Sequence, residues 1–231
     1  HHTVSAIALT GGSSMPKPGE ISLSHYGVLF LDELPEFKRS VLEALRQPME
    51  DGHVTIARVN STVSYPSKFM LVSAMNPCPC GYLGDSRCHC STSEIAKYRK
   101  RISGPLLDRI DIFAETPDVS YNDLSKKTKS ESSAEIKSRV SAARDIQLKR
   151  YNNDGIFFNS QLTSSQTEKY CVMDNDASEL IKAAFDSLRL SARAYHKILK
   201  VARTIADLEG SSKIRLEHAA EALQYRNLSL P

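Results

Sequence analysis

Four cysteines lie close enough together along this chain to bind a single metal ion. They form two Cys-x-Cys pairs: Cys78, Cys80, Cys88 and Cys90. Four converging thiolates suit tetrahedral zinc, a borderline-soft ion that binds cysteine sulfur readily. Gly81 and Gly84 let the intervening loop fold back so that the pairs can meet. Because protein ligands would fill all four positions, the spacing predicts a structural zinc site with no open position for a catalytic water.

Other interpretations of these cysteines stay open. The thiols could be reduced and clustered by chance, or His89 could replace one cysteine as a ligand, although it is expected to be a solvated loop residue. Disulfides are less favoured, because the chain opens His1-His2-Thr3 without the basic segment and apolar core of a signal peptide. The fifth cysteine, Cys171, stands alone in a helical region and is expected to be a small buried residue.

The composition is that of an ordinary globular protein. The 231 residues are 41% apolar and 25% charged, and 30 Lys and Arg against 27 Asp and Glu give a net charge of +3. No apolar run approaches the roughly 20 residues that a membrane span needs. These numbers exclude disordered, collagen-like, membrane-spanning and disulfide-rich secreted proteins. We expect a cytoplasmic protein without a membrane partner.

A pair of acidic residues follows the first long apolar segment. Gly27–Leu31 is a continuous apolar run, which predicts a strand buried on both faces of a parallel sheet, and Asp32 and Glu33 come directly after it. Ligands of open α/β sheets bind beyond the carboxyl ends of the strands. In this Walker-B arrangement Asp32 would hold the Mg²⁺ of a nucleotide, and Glu33 would polarise the attacking water as a general base. The alternative is a solvated strand end.

A polar amide follows the second predicted strand. Phe69–Ala74 is mainly apolar, and Asn76 comes two residues after it. Asn76 would then orient the lytic water or contact the γ-phosphate, the role called sensor 1. It could also be an ordinary turn residue before Pro77.

Two arginines could complete a phosphate site. Arg109 lies just before a predicted third strand, Asp111–Ala114, and could be an arginine finger that reaches the nucleotide of a neighbouring subunit. It could equally pair locally with Asp108 or Asp111. Arg193 lies near the start of a predicted helix, where it could contact a phosphate as sensor 2 or be a surface residue.

The remaining pattern of the first half predicts a helix and a hairpin. Lys38–Glu50 has helical periodicity, and the alternating segments His53–Arg58 and Thr62–Pro66 predict a β-hairpin. Ser125–Ser133 is rich in Ser and Lys and is typical of a linker or an exposed turn.

The second half has the periodicity of helices throughout. The apolar positions of the first helix are Ile136, Val140, Ala143 and Ile146. Because the composition shifts near Tyr121, we expect two domains, residues 1–120 and residues 121–231.

Five longer segments identify a family. They are Pro18–Leu23, Gly27–Phe37, Ala74–Gly81, Arg101–Asp111 and Ala192–Leu208. Through them the chain resembles the AAA+ ATPases of the magnesium-chelatase-like group, in particular its bacterial YifB/ComM branch. The resemblance covers nearly the whole chain, and the four cysteines separate this branch from the true chelatase subunits.

The resemblance implies a fold, an assembly and cofactors. The fold would be α/β, with part of an AAA+ P-loop NTPase core around a parallel sheet in residues 1–120 and an all-α lid domain in residues 121–231. The first domain would carry Walker B, the β-hairpin and the zinc loop. The intact protein would be a ring-forming ATPase, a hexamer that binds ATP and Mg²⁺ between subunits. The catalytic and nucleotide-binding residues would be Asp32, Glu33, Asn76, Arg109 and Arg193.

One motif of the family is missing. No Gly-x-x-x-x-Gly-Lys-Ser/Thr loop occurs, and Gly11-Gly12-Ser13-Ser14 lacks its Lys and its first Gly. In the family this Walker-A loop precedes a Pro-His-His sequence, so His1-His2 resembles its remnant, although a purification tag would look the same. We expect a fragment that begins inside the ATPase module, binds ATP weakly or not at all, and has no turnover alone.

The resemblance also implies a DNA partner. The intact protein would be an ATP-driven helicase that acts in branch migration during the uptake and recombination of transforming DNA. Arg58, near the tip of the predicted hairpin, could contact phosphates. So could the basic segment that contains Lys97, Arg99, Lys100 and Arg101. All five could equally be solvated. Protein remodelling, a chelatase-like metal-insertion motor and a non-enzymatic docking role for the zinc loop stay open as other functions.

Overall fold

The chain divides into two compact units, His1–Ile110 and Asp111–Ser229. A computed structural model describes residues 3–12, 16–58, 61–116 and 131–226, without the side chains of Arg58 and Ser61. Most of the predicted linker, and the predicted domain boundary at residues 120 and 121, lie outside the described residues. The predicted boundary between the two domains therefore remains a prediction.

The described part of the first unit combines four strands with six short helices. The strands are β1 (Val28–Leu31), β2 (His53–Arg58), β3 (Ser61–Pro66) and β4 (Met70–Ser73). The helices are α1 (Ala6–Thr10), α2 (Glu20–Leu23), α3 (Arg39–Ala44), α4 (Arg46–Asp51), α5 (Thr92–Arg99) and α6 (Gly104–Leu107). A 3₁₀ turn, Leu34–Glu36, connects β1 to α3.

The two predicted core strands pair in parallel, as β1 with β4. Burial on both faces is wrong for β1: Leu29 and Leu31 are buried, whereas Val28 and Phe30 are 52% and 59% exposed. Successive side chains of a strand point to opposite faces, and only one face of this pair meets the core. A continuous run of apolar residues in the sequence does not determine how many faces of the strand are covered by other elements.

The helix predicted over Lys38–Glu50 is two helices, α3 and α4, separated at Leu45. Pro48 is the physical cause. It has no N–H to donate, and in a continuous helix its ring would clash with the carbonyl four residues earlier, at Ala44, where α3 ends. Val41, Leu42 and Leu45, the apolar residues on which the predicted helical periodicity rests, are nevertheless buried.

The predicted β-hairpin is confirmed. β2 and β3 pair antiparallel, with His53 opposite Pro66 and Arg58 opposite Ser61. The residues between the strands, Val59 and Asn60, lie outside the described part of the chain.

The described part of the second unit is built from five helices. They are α7 (Ser133–Arg150), α8 (Ser164–Tyr170), α9 (Asn175–Ser187), α10 (Ala192–Glu209) and α11 (Leu216–Gln224). On α7, Ala143 is buried, but Ile136 and Val140 are 42% and 44% exposed. The predicted apolar face of α7 is therefore wrong in its N-terminal half.

Buried charges connect three parts of the second unit. The carboxylate of Asp207, on α10, pairs with Arg203 at 3.0 Å and with Arg150 at the end of α7. Asn159, in a 3₁₀ turn, donates to the same carboxylate at 2.9 Å. The Arg203 guanidinium also donates to the carbonyl of Ser212 at 2.9 Å. Because each buried charge has opposite charges or carbonyls around it, the network can stay ionised away from water.

The third predicted strand is wrong. Asp111–Ala114 forms no strand. The N–H of Phe113 donates instead to the carbonyl of Tyr225, just after α11, and Lys197 pairs with Asp111 at 2.6 Å. The Phe113 bond uses a backbone N–H that a strand would donate to a neighbouring strand.

Across the described residues, none of the helices has both the length and the apolar character needed to cross a membrane.

Candidate functional site

The four clustered cysteines lie in the loop between β4 and α5, and their sulfur atoms converge. The Sγ atom of Cys78 lies 3.4 Å from that of Cys80 and 3.9 Å from that of Cys88, and Cys80 and Cys88 are 3.7 Å apart. With Cys90 included, all four Sγ atoms lie within 4.8 Å of one another. The sequence spacing therefore correctly indicated a single four-sulfur cluster.

The separations between these sulfurs match a tetrahedral zinc site. Zn–S bonds of about 2.3 Å place the sulfurs of a tetrahedron about 3.8 Å apart. The four cysteines are free thiols rather than disulfides. The donor set therefore fits Zn²⁺, and it offers no further position to a substrate.

Two left-handed glycines turn the loop back on itself. Gly81 has a φ of 83° and Gly84 a φ of 93°, values that residues with a Cβ rarely adopt. The N–H of Gly81 donates to the carbonyl of Cys78 at 3.0 Å, and that of Cys88 donates to the carbonyl of Asp85 at 2.9 Å. These turns bring the two cysteine pairs together, as the sequence predicted.

The thiols differ in acidity. A backbone hydrogen bond from Tyr82 is the main cause that lowers the pKa of Cys80 to about 6. Desolvation is the main cause that raises the pKa of Cys90 to about 12. A backbone hydrogen bond from Cys90 lowers the pKa of Cys88, but desolvation and the neighbouring thiols outweigh it, so that this pKa is also raised. A metal bound by all four sulfurs must therefore displace protons from Cys88 and Cys90.

The two other residues considered as ligands or thiols lie apart from the cluster. His89 is exposed, with Nδ1 3.4 Å from the carbonyl of Arg87, as expected for a loop residue. Cys171 is buried at the end of α8, where desolvation raises the pKa of its thiol to about 11. The prediction of a small buried residue there is confirmed.

A second group of potential ligands lies in the second unit. Glu209, Glu217 and His218 bring ligand atoms within 4.8 Å of one another. Arg215, however, pairs with Glu209 at 2.6 Å and with Glu217 at 2.7 Å. His218 accepts the N–H of Arg215 on Nδ1 at 3.0 Å, and its Nε2 contacts Glu209. Arg215 and His218 therefore already occupy these ligand atoms, and the group is an ion-pair and hydrogen-bond cluster.

The acidic pair and the amide emerge at one edge of the parallel sheet. The strands stay bonded beyond their ends, since the N–H of Ala74 donates to Leu31 and that of Leu34 donates to Ala74, both at 3.0 Å. Asp32 and Glu33 therefore run beside the segment that leads to Asn76. The side chains of Asp32, Glu33 and Asn76 are exposed, so this edge is open to a ligand.

Glu33 has an unusual backbone conformation. Its φ of 52° and ψ of 46° are left-handed, which costs a residue with a Cβ about 1–3 kcal/mol. Its N–H donates to the Oδ1 atom of Asp32 at 2.9 Å. Such strain is typical of functional sites, and nothing in the sequence pattern indicated it.

The edge of the sheet and the cysteine loop are neighbours. Asn76 precedes Pro77 and Cys78 directly. A Cβ atom added to Gly81 would lie 3.9 Å from Cγ of Asn76. The cysteine loop therefore passes close to the Asn76 amide.

The two predicted arginines lie in different units. Arg109 has a side chain that is only 13% exposed, and it pairs with Glu50 at the end of α4. Its Nη1 atom donates to the carbonyl of Pro105 at 2.7 Å. The partner Glu50 was not among the local carboxylates that the sequence suggested. Arg193 is the second residue of α10, in the second unit, and is exposed.

The predicted DNA-binding residues have different surroundings. Arg99 donates to the carbonyl of Pro77 at 3.4 Å. Arg101 donates from Nη1 to both carboxylate oxygens of Glu36, at 2.9 and 2.8 Å. Lys97 and Lys100 are exposed on α5 and at its end. The side chain of Arg58 lies outside the described part of the chain.

The glycine-rich segment near the N-terminus has a packing role. A Cβ atom on Gly11 would lie 2.4 Å from the carbonyl oxygen of Lys17, and one on Gly19 would lie 2.3 Å from the nitrogen of Gly11. Both glycines are needed because two stretches of backbone approach closely here.

Two family models together match most of the sequence. "Magnesium chelatase, subunit ChlI" matches residues 1–124, and "Magnesium chelatase, subunit ChlI C-terminal" matches residues 130–226. The match bears out the resemblance drawn from the motifs and the α/β fold that it implied.

Individual relatives extend this result. The chain is 45% identical over 227 residues to "Competence protein ComM" of Haemophilus influenzae and 44% identical over the same length to "Uncharacterized protein YifB" of Escherichia coli. Both alignments cover 98% of this chain but 44% of the relative. A weaker similarity, 24% over 212 residues, links 91% of the chain to 45% of "Magnesium-chelatase subunit ChlI-2, chloroplastic" of Arabidopsis thaliana. The chain thus spans less than half the length of these curated relatives.

Proposed function

Because the chain belongs to the magnesium chelatase ChlI family of AAA+ proteins, we propose that it carries the metal-binding and water-polarising part of an ATPase site. The intact protein would be a ring-forming motor that remodels DNA. The observation that supports the proposal most directly is the exposed group of Asp32, Glu33 and Asn76 at one edge of the parallel sheet.

Each of these three side chains has a distinct task in the proposal. Bound Mg²⁺–ATP would supply the phosphoryl group and the charge of the metal. Asp32 offers the carboxylate oxygens that Mg²⁺ prefers. Glu33 would accept a proton from the attacking water as a general base, and its left-handed backbone is the strain found at functional sites. Asn76, which lies next to the cysteine loop, would orient that water.

The two arginines would complete the site in the assembled ring. Arg109 would act as the finger that stabilises negative charge on a neighbouring subunit's nucleotide. Its ion pair with Glu50 would hold the guanidinium until that nucleotide is present. Arg193 would contact a phosphate as sensor 2.

The cysteine cluster would hold a structural zinc ion in this proposal. Its four thiols and their separations are the support, together with the absence of an open coordination position. The zinc would keep the loop rigid beside Asn76 and so contribute to the ATPase site indirectly.

The proposed DNA partner is supported by the name of the competence protein relative and by the exposed lysines of α5. DNA bound to such cations would dissociate as salt rises, because its counterions return to the phosphates.

Hydrolysis of ATP by a longer polypeptide, which includes the part of the relatives that this chain does not span, tests the ATPase proposal. Glu33→Gln should lower the turnover by about 10²–10⁴-fold, the usual contribution of a general base. Glu179→Gln, an exposed change elsewhere, should leave it unchanged. Equal turnover in both variants would contradict the role of Glu33, and turnover by the 231-residue chain alone would contradict the expectation that it is an inactive part.

A further inference from the structure

A basic cleft lies beside the turn that follows the acidic pair. Its volume is about 480 Å³, and its walls come from the 3₁₀ turn, the start of α3 and the end of α5. Its charged lining residues are Glu36, Arg39, Lys97, Lys100 and Arg101. The whole cleft belongs to the first unit.

Positive charge in this cleft exceeds negative charge. Four of the lining residues are cationic, and Glu36 is the one carboxylate among the residues that line it. Arg101 already donates to both oxygens of Glu36, so these two charges balance each other. Arg39, Lys97 and Lys100 are left facing the cleft without a lining carboxylate to offset them.

Helix stability accounts for only part of this arrangement. Lys97 lies in the last turn of α5 and Lys100 caps it, positions where the helix dipole favours cations. Arg39 is the first residue of α3, where the same dipole disfavours a cation. Arg39 also interacts with the charge of Glu43, four residues further along α3, but Glu43 does not line the cleft.

The cleft offers charge but no aromatic surface. Phe37 and Tyr98 are 4% and 6% exposed, so neither ring can stack on a base. Sequence-independent recognition of phosphate is the chemistry that remains, because lysine and arginine bind phosphate oxygens whatever base is attached.

We propose that Arg39, Lys97 and Lys100 form a binding site for phosphate groups. This inference rests on the proposed function for the source of the phosphate, which would be the backbone of a nucleic acid. Arg39 is new to the set of predicted DNA contacts. Arg101 borders the site, where it positions the turn through Glu36 and the carbonyl of Pro35.

The test measures binding of a short labelled single-stranded oligonucleotide over a series of salt concentrations. The cleft variant is Arg39→Ala/Lys97→Ala/Lys100→Ala. The matched control, Lys17→Ala/Lys137→Ala/Lys182→Ala, removes the same three charges from exposed positions outside the cleft. All these side chains lie at the surface, so thermal melting should confirm that both variants fold like the unaltered chain.

The cleft variant should lower the slope of log K against log salt by about 2, since each contact to single-stranded phosphate contributes about 0.7. The control should retain the slope. An equal loss in both variants would overturn the proposal, because net charge would then account for the binding.

A parallel titration with inorganic pyrophosphate distinguishes the two possible sources of the bound phosphate, the backbone of a nucleic acid and a free phosphate compound. Pyrophosphate binding that the cleft variant loses, with no DNA binding by any form, would support the phosphate site while it contradicts the DNA-remodelling function. Pyrophosphate and DNA binding that are both unaffected by the three substitutions would overturn the site itself.

Discussion

The cysteine loop and the carboxylate edge of the sheet differ in how their functional groups come together. All four sulfurs come from one short segment, residues 78–90, and two glycine turns fold it. The carboxylate edge draws Asp32 and Glu33 from one strand end and Asn76 from another. Arg109 and Arg193 have been assigned to the same chemistry, yet Arg109 is paired with Glu50 and Arg193 lies in the other unit.

A ligand set that one loop supplies is complete within the chain. A phosphate site is assembled from several elements, and in a ring it also requires a neighbouring subunit. The effects of substitutions in the cysteine loop should therefore be measurable already in this chain. The effects of substitutions at the carboxylate edge on ATP hydrolysis should be measurable only in a longer, assembled protein.

The largest expected effect concerns the metal. Cys88→Ser removes one of four ligands, so the bound zinc should fall from about one equivalent to nearly none. Structural zinc contributes about 10–16 kcal/mol of apparent binding free energy in small domains, so the melting temperature should fall as well. Elemental analysis of the purified chain measures the metal.

His89→Ala is the matched control for this change, since His89 is exposed in the same loop. It should retain the zinc. Equal metal content in the unaltered chain, Cys88→Ser and His89→Ala would show that the converging thiols do not hold a metal.

The next effect concerns Arg109 in the longer, assembled protein. Arg109→Ala should slow ATP hydrolysis by about 10³–10⁵-fold if the guanidinium stabilises the charge of the transition state. Glu50→Gln removes the partner but keeps the arginine, so hydrolysis should persist. If both variants hydrolyse ATP normally, the arginine serves only its pair with Glu50.

The buried charges around Asp207 come from distant parts of the sequence, as the groups of the carboxylate edge do. They test whether such a set can nevertheless stabilise this chain without a second subunit. Asp207→Ala would leave Arg150 and the buried Arg203 without their carboxylate. Removing one partner of a buried ion pair costs about 3–5 kcal/mol, and urea unfolding should report a loss of this size. Asp176→Ala, at an exposed position of α9, should cost far less, and similar losses would contradict the importance of the network.

The smallest expected effect is a pH dependence within the cysteine loop. The side chain and backbone N–H groups of Arg87 lower the pKa of Asp85 to about 2 from its ordinary value of 3.8. The folded loop therefore gains stability above about pH 4, which is lost as the pH falls toward about 2. In the metal-free chain, the exchange protection of the Arg87 amide, which donates to Oδ1 of Asp85 at 2.8 Å, should fall over this range relative to an unstructured peptide at the same pH, and Asp85→Asn should abolish the dependence.

Sequence alone identified every group of the cysteine loop. Ligand type, spacing and the two glycines are all local, and the turns at Gly81 and Gly84 follow from their freedom to adopt positive φ. The acidic pair and Asn76 were also found correctly as strand ends, because apolar runs and the residues that follow them are local signals too.

The tertiary structure decided what local patterns do not record. Only the tertiary structure shows that one face of the β1–β4 pair is exposed, and only it shows that Phe113 donates its N–H to Tyr225 rather than to a neighbouring strand.

The partners of charged side chains are also decided by the tertiary structure. Glu50 and its partner Arg109, like Arg39 and Lys97, lie about 60 residues apart in sequence, and the cations of the cleft converge only because the start of α3 and the end of α5 line the same cleft. Residue type and spacing determine which groups are available, because local backbone geometry places neighbours in sequence. Which of them meet depends on packing between distant segments, and this sequence acquires its basic cleft and its pair between Arg109 and Glu50 at that level.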